Sequence, residues 1–528
     1  MSKRKLLVVA AMGMAGYVLT PRPLMAQMVD YVSAPNAAKE GIAKTLAQQI
    51  GADRGDPMMP ESSAYIIERD PFRAIRRGRQ LFQRKFTFDE GQGPRSGDGR
   101  GDLNVNLALG AGLSDSCAAC HGRPRGSAGS GGDVATRPDS RDAPHLFGLG
   151  LKEMLADEIT SDLRGLRAQL VAQARASGAA VGTVLNSKGI VYGTLTALPD
   201  GSLDTSRVVG VDPDLRVRPF FAHGGKFSIR EFVIGALNDE MGLQAVDPEL
   251  AAARSGGRFV TPSGMVLDGA LDRLEAPPVT RADEDADLDG IANEIPRSLV
   301  DYLEFYLLNY FKPATYRITS ATVRGKILFE RVGCAGCHVP DLAIRRDRRV
   351  ADVETVYDAD RGMFNHLFAT AAPLLRTVDD GSGWPPLERP NQGPFVVRNI
   401  YCDFKRHDLG PNFHERSYDG TIRREFMTTP LWGVGTTAPY GHDGRSINLQ
   451  EVILRHGGEA QSARDGFARL PGGQQNMILD FLNALVIFPP DDTASNLNPG
   501  DRATPGFPQY GHGSIRLTVL FNDPTDPE

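Results

Sequence analysis

The sequence predicts a mainly α-helical protein with two similar units, long loops and insertions. Two short amphipathic segments, Ala74 to Phe82 and Ala321 to Phe329, have apolar residues at helical spacing, and a motif of two cysteines and a histidine follows each of them. Lys152 to Ala174 and Arg297 to Leu308 show the same helical periodicity. The recurrence of segment plus motif indicates an internal repeat, and therefore two units of one kind.

Length and composition agree with more than one unit. A chain of 528 residues is too long for one compact core. The net charge of -6, from 59 basic and 65 acidic residues, gives no basic excess of the kind that binds nucleic acid or an anionic membrane. With 58 glycines and 36 prolines against 24 phenylalanines, the chain is rich in loops, and we expect something besides side chains to complete its core.

The N-terminus has the order of a secretory signal. Basic residues follow Met1, an apolar run extends from Leu6 to Leu19, and small residues end at Ala26, where we expect cleavage. The alternative is a membrane anchor, but the run is shorter than the roughly 20 residues that a span needs. No later segment has the character of a span, so we expect a periplasmic protein without a membrane span after signal removal.

The cysteine pattern carries the chemistry. Four of the five cysteines lie in two Cys-x-x-Cys-His motifs, formed by Cys117, Cys120 and His121, and by Cys334, Cys337 and His338. Two thiols at this spacing reach the two vinyl groups of one porphyrin, and the adjacent imidazole binds the iron. A redox dithiol, a zinc site and a disulfide are the alternatives, but two such motifs in an exported chain favour two covalently bound haem c groups. The fifth cysteine, Cys402, is predicted to be a buried thiol.

The fold class that follows is mainly α, with two cytochrome c-type haem domains, long loops and insertions. Val191 to Val217, between them, is predicted to be an irregular insertion or a hairpin. The predicted organisation is a signal peptide (1–26), an N-terminal segment (27–70), a first cytochrome c domain with the catalytic haem (71–282), an acidic linker (283–296), a second cytochrome c domain with the electron-transfer haem (297–488) and a C-terminal tail (489–528).

Spacing alone does not identify any further iron ligand among the other histidines, which are His145, His223, His366, His407, His414, His442, His456 and His512. Several stretches resemble the bacterial di-haem cytochrome c peroxidase superfamily, in particular its di-haem oxidoreductase branch, whose members are described as peroxidases or thiol oxidoreductases. The similarity extends from about Arg76 to Leu485, and the stretches that carry it are 143–150, 238–242, 403–410, 429–445 and 448–460.

The resemblance implies how the second haem is bound. Peroxidases of the superfamily place a methionine, and a related maturation enzyme a tyrosine, at the position of His456. We therefore expect His338 and His456 to bind the second iron from opposite sides, which lowers its potential relative to methionine ligation. His442 is the rival ligand, although the resemblance implies a position on a loop near the haem.

For the first haem, the resemblance makes His121 the proximal ligand of the catalytic centre. The residues from Gly122 to Pro144 contain no histidine, so the iron is expected to be open, and His145 is expected to be a pocket or core residue. Glu240 aligns with the distal glutamate that transfers protons, and a one-residue slip would give that role to Asp239.

Two aromatic positions depart from the peroxidase pattern. The distal glutamine position falls at or near Phe232. The relay tryptophan would fall near Phe221 or Ala222, yet the chain has tryptophan only at 384 and 432. Electron exchange between the haems is therefore expected to use Phe221 or a direct path.

The acidic linker allows two interpretations. Asp285, Asp287 and Asp289 alternate before Gly290, as in loops that bind calcium, but the twelfth residue from Asp285 is Pro296 rather than glutamate. The other interpretation is a solvated acidic linker.

We therefore expect a periplasmic di-haem oxidoreductase that reduces hydrogen peroxide, or activates another small oxidant, with electrons from a periplasmic donor protein. Two alternatives remain open, an oxygenase resembling the rubber oxygenases and an electron carrier without enzymatic activity. Thiol oxidation has no identifiable residue in this sequence.

Overall fold

The structure is a computed structural model, and most of the chain between residues 45 and 485 is described. The described residues are 45–93, 114–121, 142–274, 281–285, 289–310, 312–313, 319–352, 354–355, 372–374, 376–377, 387–388, 394–416 and 420–485. The predicted signal peptide, the C-terminal tail and most of residues 91–112 and 122–132, two glycine-rich stretches beside the first motif, lie outside them. In the described part, no helix is long and apolar enough to cross a membrane.

Helix accounts for 42% of the structure and strand for 14%, so the predicted mainly α class is confirmed. The α-helices in the described residues are α1 Leu46–Ile50, α2 Ser63–Arg69, α3 Pro71–Gln83, α4 Cys117–His121, α5 Leu149–Ser177, α6 Ile229–Ala236, α7 Pro248–Arg254, α8 Arg297–Asn309, α9 Ser320–Arg331, α10 Leu449–Arg455, α11 Gln461–Ala468 and α12 Gly472–Asn483. All four segments with predicted helical periodicity lie within α3, α5, α8 and α9.

The strands are short and pair mostly as antiparallel two-stranded ribbons. They are β1 Val181–Ser187, β2 Ile190–Ala197, β3 Leu203–Asp204, β4 Arg258–Val260, β5 Val266–Asp268, β6 Lys312–Pro313, β7 Leu342–Ile344, β8 Ala351–Asp352, β9 Glu354–Thr355, β10 Ala372–Pro373, β11 Arg376–Thr377, β12 Leu387–Glu388, β13 Phe395–Val397, β14 Arg406–Asp408, β15 Glu415–Arg416, β16 Ile422–Arg423 and β17 Glu425–Met427.

The sequence repeat has a structural counterpart in two helix crossings. Helix α3 packs on α8 at Gly78, where an added Cβ would lie 2.2 Å from the Tyr302 carbonyl oxygen. Helix α9 packs on α12 at Gly325, where an added Cβ would lie 1.8 Å from the Met477 carbonyl oxygen. Only glycine permits backbones to approach this closely, so the central glycine of each repeat segment fixes the same crossing twice.

These crossings anchor two apolar cores. The first core includes α3, α6 and α8, and the second includes α9 and α12. Cys117 packs against the first core and Cys334 against the second, so each motif borders the core of its own unit.

The long helix α5 and the sheet β1–β2–β3 form an insertion between the two motifs. A hairpin was one of two predicted alternatives for Val191 to Val217, and β2 and β3 form an antiparallel pair there, while β1, which precedes that range, pairs with β2. A third core joins this insertion to residues after the second motif, including Cys402, which is 1% exposed. The prediction of a buried Cys402 thiol is confirmed, and its Sγ lies 3.1 Å from the Thr428 carbonyl oxygen.

Buried charges connect the N-terminal segment to the first core. The fully buried Arg230 guanidinium binds Asp247, Asp301 and Glu304. Arg54, from the N-terminal segment, also binds Asp301, with Nη2 2.6 Å from Oδ1. Although burial alone would raise it, the two guanidinium groups of Arg230 and Arg54 hold the pKa of Asp301 below its ordinary value.

Candidate haem-binding sites

The first motif is the short helix α4, which ends at His121. His121 Nδ1 lies 2.6 Å from the Pro144 carbonyl oxygen. Because a carbonyl oxygen only accepts, Nδ1 carries the proton and donates, which fixes the tautomer and leaves Nε2 as the nitrogen that can bind a metal. Among the described residues, Nε2 of His121 has no hydrogen-bond partner.

The second motif repeats this arrangement in a different local structure. A 3-10 turn, Cys334–Gly336, follows α9 and leads to His338, whose Nδ1 lies 3.0 Å from the Tyr401 carbonyl oxygen. Burial lowers the pKa of His338 to about 4, and burial also lowers the pKa of His121. Both imidazoles are therefore neutral at pH 7, as iron ligands must be.

The surroundings of the thiols bear on the alternatives to haem binding that these motifs allow. Burial raises the pKa of both Cys117 and Cys334 to about 12. Zinc binding and dithiol redox chemistry use thiolates, which these environments disfavour. The thiol pairs and the oriented imidazoles together fit two haem c groups, one on each motif.

His456 has the geometry of a second ligand near His338. It directly follows α10, and its Nδ1 lies 2.7 Å from the Val452 carbonyl oxygen, so Nε2 is again the remaining nitrogen. Burial lowers the pKa of His456, and His456 contributes, after burial, to the lowered pKa of His338, so the two imidazoles are near enough for their charges to interact. The fold thus brings together two residues that are 118 positions apart (456 minus 338).

The rival ligand, His442, is engaged elsewhere. Its ring stacks on Phe426, with centroids 4.0 Å apart, and its Nε2 lies 3.3 Å from Glu415 Oε2. Phe413 stands between the two histidine rings, with its centroid 6.2 Å from that of His442 and 5.2 Å from that of His456. His442 therefore lies near the second site, but its ring is held by contacts with Phe426, Phe413 and Glu415.

His145 lies close to the first motif. Its pKa is lowered to about 3, mainly by burial and also by the charges of Lys152 and His121, and its ring hydrogen-bonds to the backbone of Trp432. Its Nδ1 is buried and has no hydrogen-bond partner among the described residues. These surroundings agree with the expected pocket or core position.

The two candidate proton-transfer residues lie on a π-helical turn, Leu237–Met241, that continues α6. The Ser114 amide donates to the Glu240 carbonyl oxygen at 3.3 Å. This hydrogen bond joins the turn to the chain segment that immediately precedes the first motif. The Asp239 carboxylate and the Phe221 ring both lie close to Gly235. A Cβ added to Gly235 would be 3.5 Å from Phe221 Cζ and 3.9 Å from Asp239 Oδ2. Single π-helical turns are frequent at functional sites.

Three phenylalanine rings lie near this turn. Phe232 lies 5.5 Å from Phe221 and 5.8 Å from Phe220, centroid to centroid. Phe221 has a φ of 58°, a region that bulky residues avoid, so its ring direction is imposed by the loop. The next carbonyl oxygen, of Ala222, accepts from the Met427 amide at 2.8 Å. The predicted relay position is therefore joined by a backbone hydrogen bond to the second unit.

A polar cluster beside the second motif was not predicted from the sequence. The Cys337, Asp403 and His407 side chains place ligand-type atoms within 4.8 Å of one another. His407 Nε2 lies 2.9 Å from Asp403 Oδ2, and its Nδ1 lies 2.7 Å from Glu459 Oε2. The four-residue spacing of Asp403 and His407 was visible in the sequence, but its partners come from distant segments. In the structure the cluster is joined by the hydrogen bonds of His407 to the Asp403 and Glu459 carboxylates.

The acidic linker is described only in part, and Asp287 lies outside the described residues. The Asp285 carboxylate accepts from the amides of Asp289 and Gly290 at 3.1 and 2.9 Å, so its oxygens close the loop on itself. Glu294 is 3% exposed, and one of its oxygens accepts from the Gln244 amide at 2.8 Å. The linker therefore begins exposed and ends buried, and calcium binding by Asp285, Asp287 and Asp289 stays a prediction.

Residues 342–485 match the family described as "Di-haem oxidoreductase, putative peroxidase". No curated protein matches the chain. A solved structure of hydrazine synthase from Kuenenia stuttgartiensis is 16% identical, with a TM-score of 0.22, over 36% of this chain. A MauG-like protein associated with microbial copper homeostasis is 17% identical, with a TM-score of 0.19, over 41% of this chain.

The aligned regions span 55% of the hydrazine synthase chain and 65% of the MauG-like chain, so each likeness is partial. The family match covers the segment that contains β7, the Asp403–His407 network, His442 and His456. Over residues 342–485 the match confirms the resemblance to di-haem oxidoreductases that the sequence motifs indicated, and the resemblance of residues 76–341 stays a prediction.

Proposed function

We propose that the chain is a periplasmic di-haem c-type oxidoreductase. In this proposal His121 holds a catalytic haem that reduces peroxide or activates another small oxidant, and His338 and His456 hold a haem that relays electrons from a donor protein. The observation that supports the proposal is the shared geometry of these three imidazoles, in each of which Nδ1 donates to a backbone carbonyl oxygen and Nε2 is the nitrogen left to bind a metal. The haem groups supply the redox chemistry, and the chain supplies ligands, proton transfer and shielding.

The two sites differ in what surrounds the iron ligand. Near His338, the His456 imidazole is close enough to influence the pKa of His338, and we assign it as the second ligand. Near His121, the turn 237–241 brings Asp239 and Glu240 to the segment that precedes Cys117. Reduction of a peroxide requires a group that moves a proton from one oxygen to the other, and a carboxylate within hydrogen-bond reach does this. We assign that role to Glu240, with Asp239 as the alternative.

The test of the ligand assignment is the electron paramagnetic resonance and absorption spectrum of the ferric protein. The wild type is expected to show one low-spin and one high-spin haem. Replacing His456 with Ala converts the low-spin haem to high spin. His442→Ala is the matched control, because His442 lies in the same surroundings and is engaged with Glu415. A low-spin signal that survives in His456→Ala, or disappears in His442→Ala, refutes the assignment.

The test of the catalytic role is peroxide turnover with a reduced electron donor. Glu240→Gln is expected to lower kcat about 10²–10⁴-fold, the usual contribution of a positioned acid or base. Asp239→Asn is the companion variant, and the larger loss identifies the proton-transfer residue. Two low-spin haems in the wild type, with no turnover, would instead identify an electron carrier.

The aromatic surroundings support a second candidate, an oxygenase acting on an apolar substrate. Phe220, Phe221 and Phe232 contact one another beside the turn that carries Asp239. Such rings exclude water and accept apolar groups. A ferrous protein that forms a stable oxygen complex and shows no peroxide turnover would favour this candidate over the peroxidase.

A further inference from the structure

The surroundings of His456 contain an arginine that the proposed function does not use. Arg455 precedes His456 directly, at the end of α10, and its side chain is 14% exposed. Its Nη2 lies 2.8 Å from Asp443 Oδ2, and its Nη1 lies 3.2 Å from Asp443 Oδ1, so the two groups pair through both oxygens. Paired contacts of this kind fix the plane of a guanidinium group, which a single contact does not.

Two more hydrogen bonds hold the same guanidinium. Nη1 donates to Ser446 Oγ at 2.9 Å, and Nη2 donates to the Asn412 carbonyl oxygen at 2.9 Å. The Asp443 side chain is 5% exposed. Burial would raise its pKa, but the bonds from Arg455 lower it below its ordinary value, so Asp443 is charged at neutral pH. The arginine is therefore locked by two loops, 441–446 and the one that contains Asn412.

The locked guanidinium lies over an aromatic ring that contacts the proposed iron ligand. Arg455 Cζ is 4.3 Å from the centroid of Phe413. Phe413 is 4% exposed, and its ring meets the His456 ring nearly edge to face, at 5.2 Å and 64°. Gly441 packs directly against this ion pair. A Cβ at position 441 would lie 2.7 Å from Asp443 Oδ1 and 3.1 Å from Arg455 Nη1.

The His456 imidazole is thus held at two points. The Val452 carbonyl oxygen fixes its Nδ1, and the Phe413 ring restricts rotation of its plane. The first contact selects the tautomer, and the second selects the direction in which Nε2 points. Groups that orient a metal ligand through such contacts influence metal affinity about 10–100-fold.

We infer that Arg455 is a positioning residue for His456, and that the Asp443–Arg455–Phe413 stack fixes the plane of the His456 imidazole, which would bind the iron of the second haem. This inference rests on the proposed function, since it concerns the ligand assigned there. Residues of this kind do not touch iron, so their effect is expected in the low-spin spectrum and in ligand exchange rather than in haem content.

The experiment compares four variants of the full-length, haem-loaded protein. Arg455→Met removes the guanidinium, and Phe413→Leu removes the ring while keeping the ion pair. Phe413→Tyr restores the ring. Arg445→Met is the control, because Arg445 also approaches Asp443, at 3.5 Å, but is 65% exposed. The readouts are the low-spin g-values of the ferric protein and the affinity of the second haem for added cyanide.

Arg455→Met and Phe413→Leu are expected to shift the low-spin g-values and to raise the cyanide affinity about 10–100-fold, since a loosely held imidazole is displaced more easily. Phe413→Tyr and Arg445→Met should match the wild type. If Arg455→Met does not accumulate, Phe413→Leu decides, because its ion pair is intact.

Wild-type g-values and cyanide affinity in Phe413→Leu or in Arg455→Met would overturn the inference. The His456→Ala variant separates this outcome from failure of the proposed function. If His456→Ala becomes high-spin while the stack variants are unchanged, the ligand assignment stands and the positioning role is wrong. If His456→Ala stays low-spin, the ligand assignment itself fails.

Discussion

An imidazole binds a metal only through a nitrogen that no other group holds, so hydrogen bonds at Nδ1 decide which histidines can serve. In three histidines, Nδ1 donates a hydrogen bond to a backbone carbonyl oxygen; these are His121, His338 and His456. In His407, by contrast, both ring nitrogens are hydrogen-bonded to carboxylates. The cysteine motifs identify two of the three from sequence. His456 needed the family resemblance, because no local pattern distinguishes it from His442 or His414.

His407 provides a pH-dependent prediction at the scale of one residue. Burial would lower its pKa, but Asp403, Cys337 and Glu459 raise it from 6.5 to about 11. A raised pKa means that the stabilisation is complete below pH 6.5 and disappears as the pH rises toward 11. His407→Gln is therefore expected to lower the free energy of unfolding by about 2 kcal/mol at pH 6, the value of a hydrogen bond to a charged group.

The measurement is urea unfolding of the haem-loaded protein at pH 6 and pH 10. The loss caused by His407→Gln should shrink at the higher pH. His414→Gln serves as the control, because the Asp408 side chain that it contacts is 36% exposed and solvent screens that pair. An equal loss for His407→Gln at both pH values would contradict the prediction.

At the scale of elements, the repeat segments were predictable because helical periodicity and the motif recur together. What periodicity did not indicate is the role of their central glycines. Gly78→Ala and Gly325→Ala would each place a Cβ within 2.2 Å of a backbone oxygen of the partner helix. Each is expected to lower the free energy of unfolding by about 1–3 kcal/mol, the range for overpacking.

Gly165→Ala is the matched control, because Gly165 is also inside a helix, α5, and a Cβ there would meet no atom within 4 Å. It is expected to be neutral or to stabilise by up to about 1 kcal/mol through helix propensity. Thermal unfolding measures all three. A Gly325→Ala variant as stable as the wild type would show that α9 and α12 can separate without loss.

The Asp443–Arg455–Phe413 stack shows where prediction from sequence ends. Its members come from a loop, a second loop and a helix end, and their contacts depend on how Tyr440 to Ser446 folds back on itself. No periodicity encodes such a meeting of loops. The hairpin of β2 and β3, in contrast, was one of two predicted alternatives because alternating residues and turn signals are local.

At the scale of the whole molecule, the buried Arg230 joins segments that are far apart in sequence. Arg230→Met would leave three buried carboxylates without their shared cation. A loss of about 3–5 kcal/mol in the free energy of unfolding is expected, as for other buried ion pairs from which one partner is removed. Guanidinium chloride unfolding provides the measurement.

Arg281→Met is the control for that loss. Arg281 pairs with Asp283 at 2.5 Å, but its side chain is 68% exposed and solvent screens the pair, so its removal is expected to leave the free energy of unfolding unchanged within error. Equal effects of the two substitutions would mean that burial does not govern the Arg230 network.

The third core has a practical consequence for anyone who wishes to produce the halves of this protein separately. Side chains of α5 and of the β1–β2 hairpin cover apolar residues after the second motif, among them Leu342, Ile344, Val397 and Phe404, each at most 2% exposed. A recombinant C-terminal fragment that begins at α8 would expose this apolar surface and would be prone to aggregation. A truncation strategy therefore has to retain the insertion with the C-terminal half, although the insertion precedes that half in the chain.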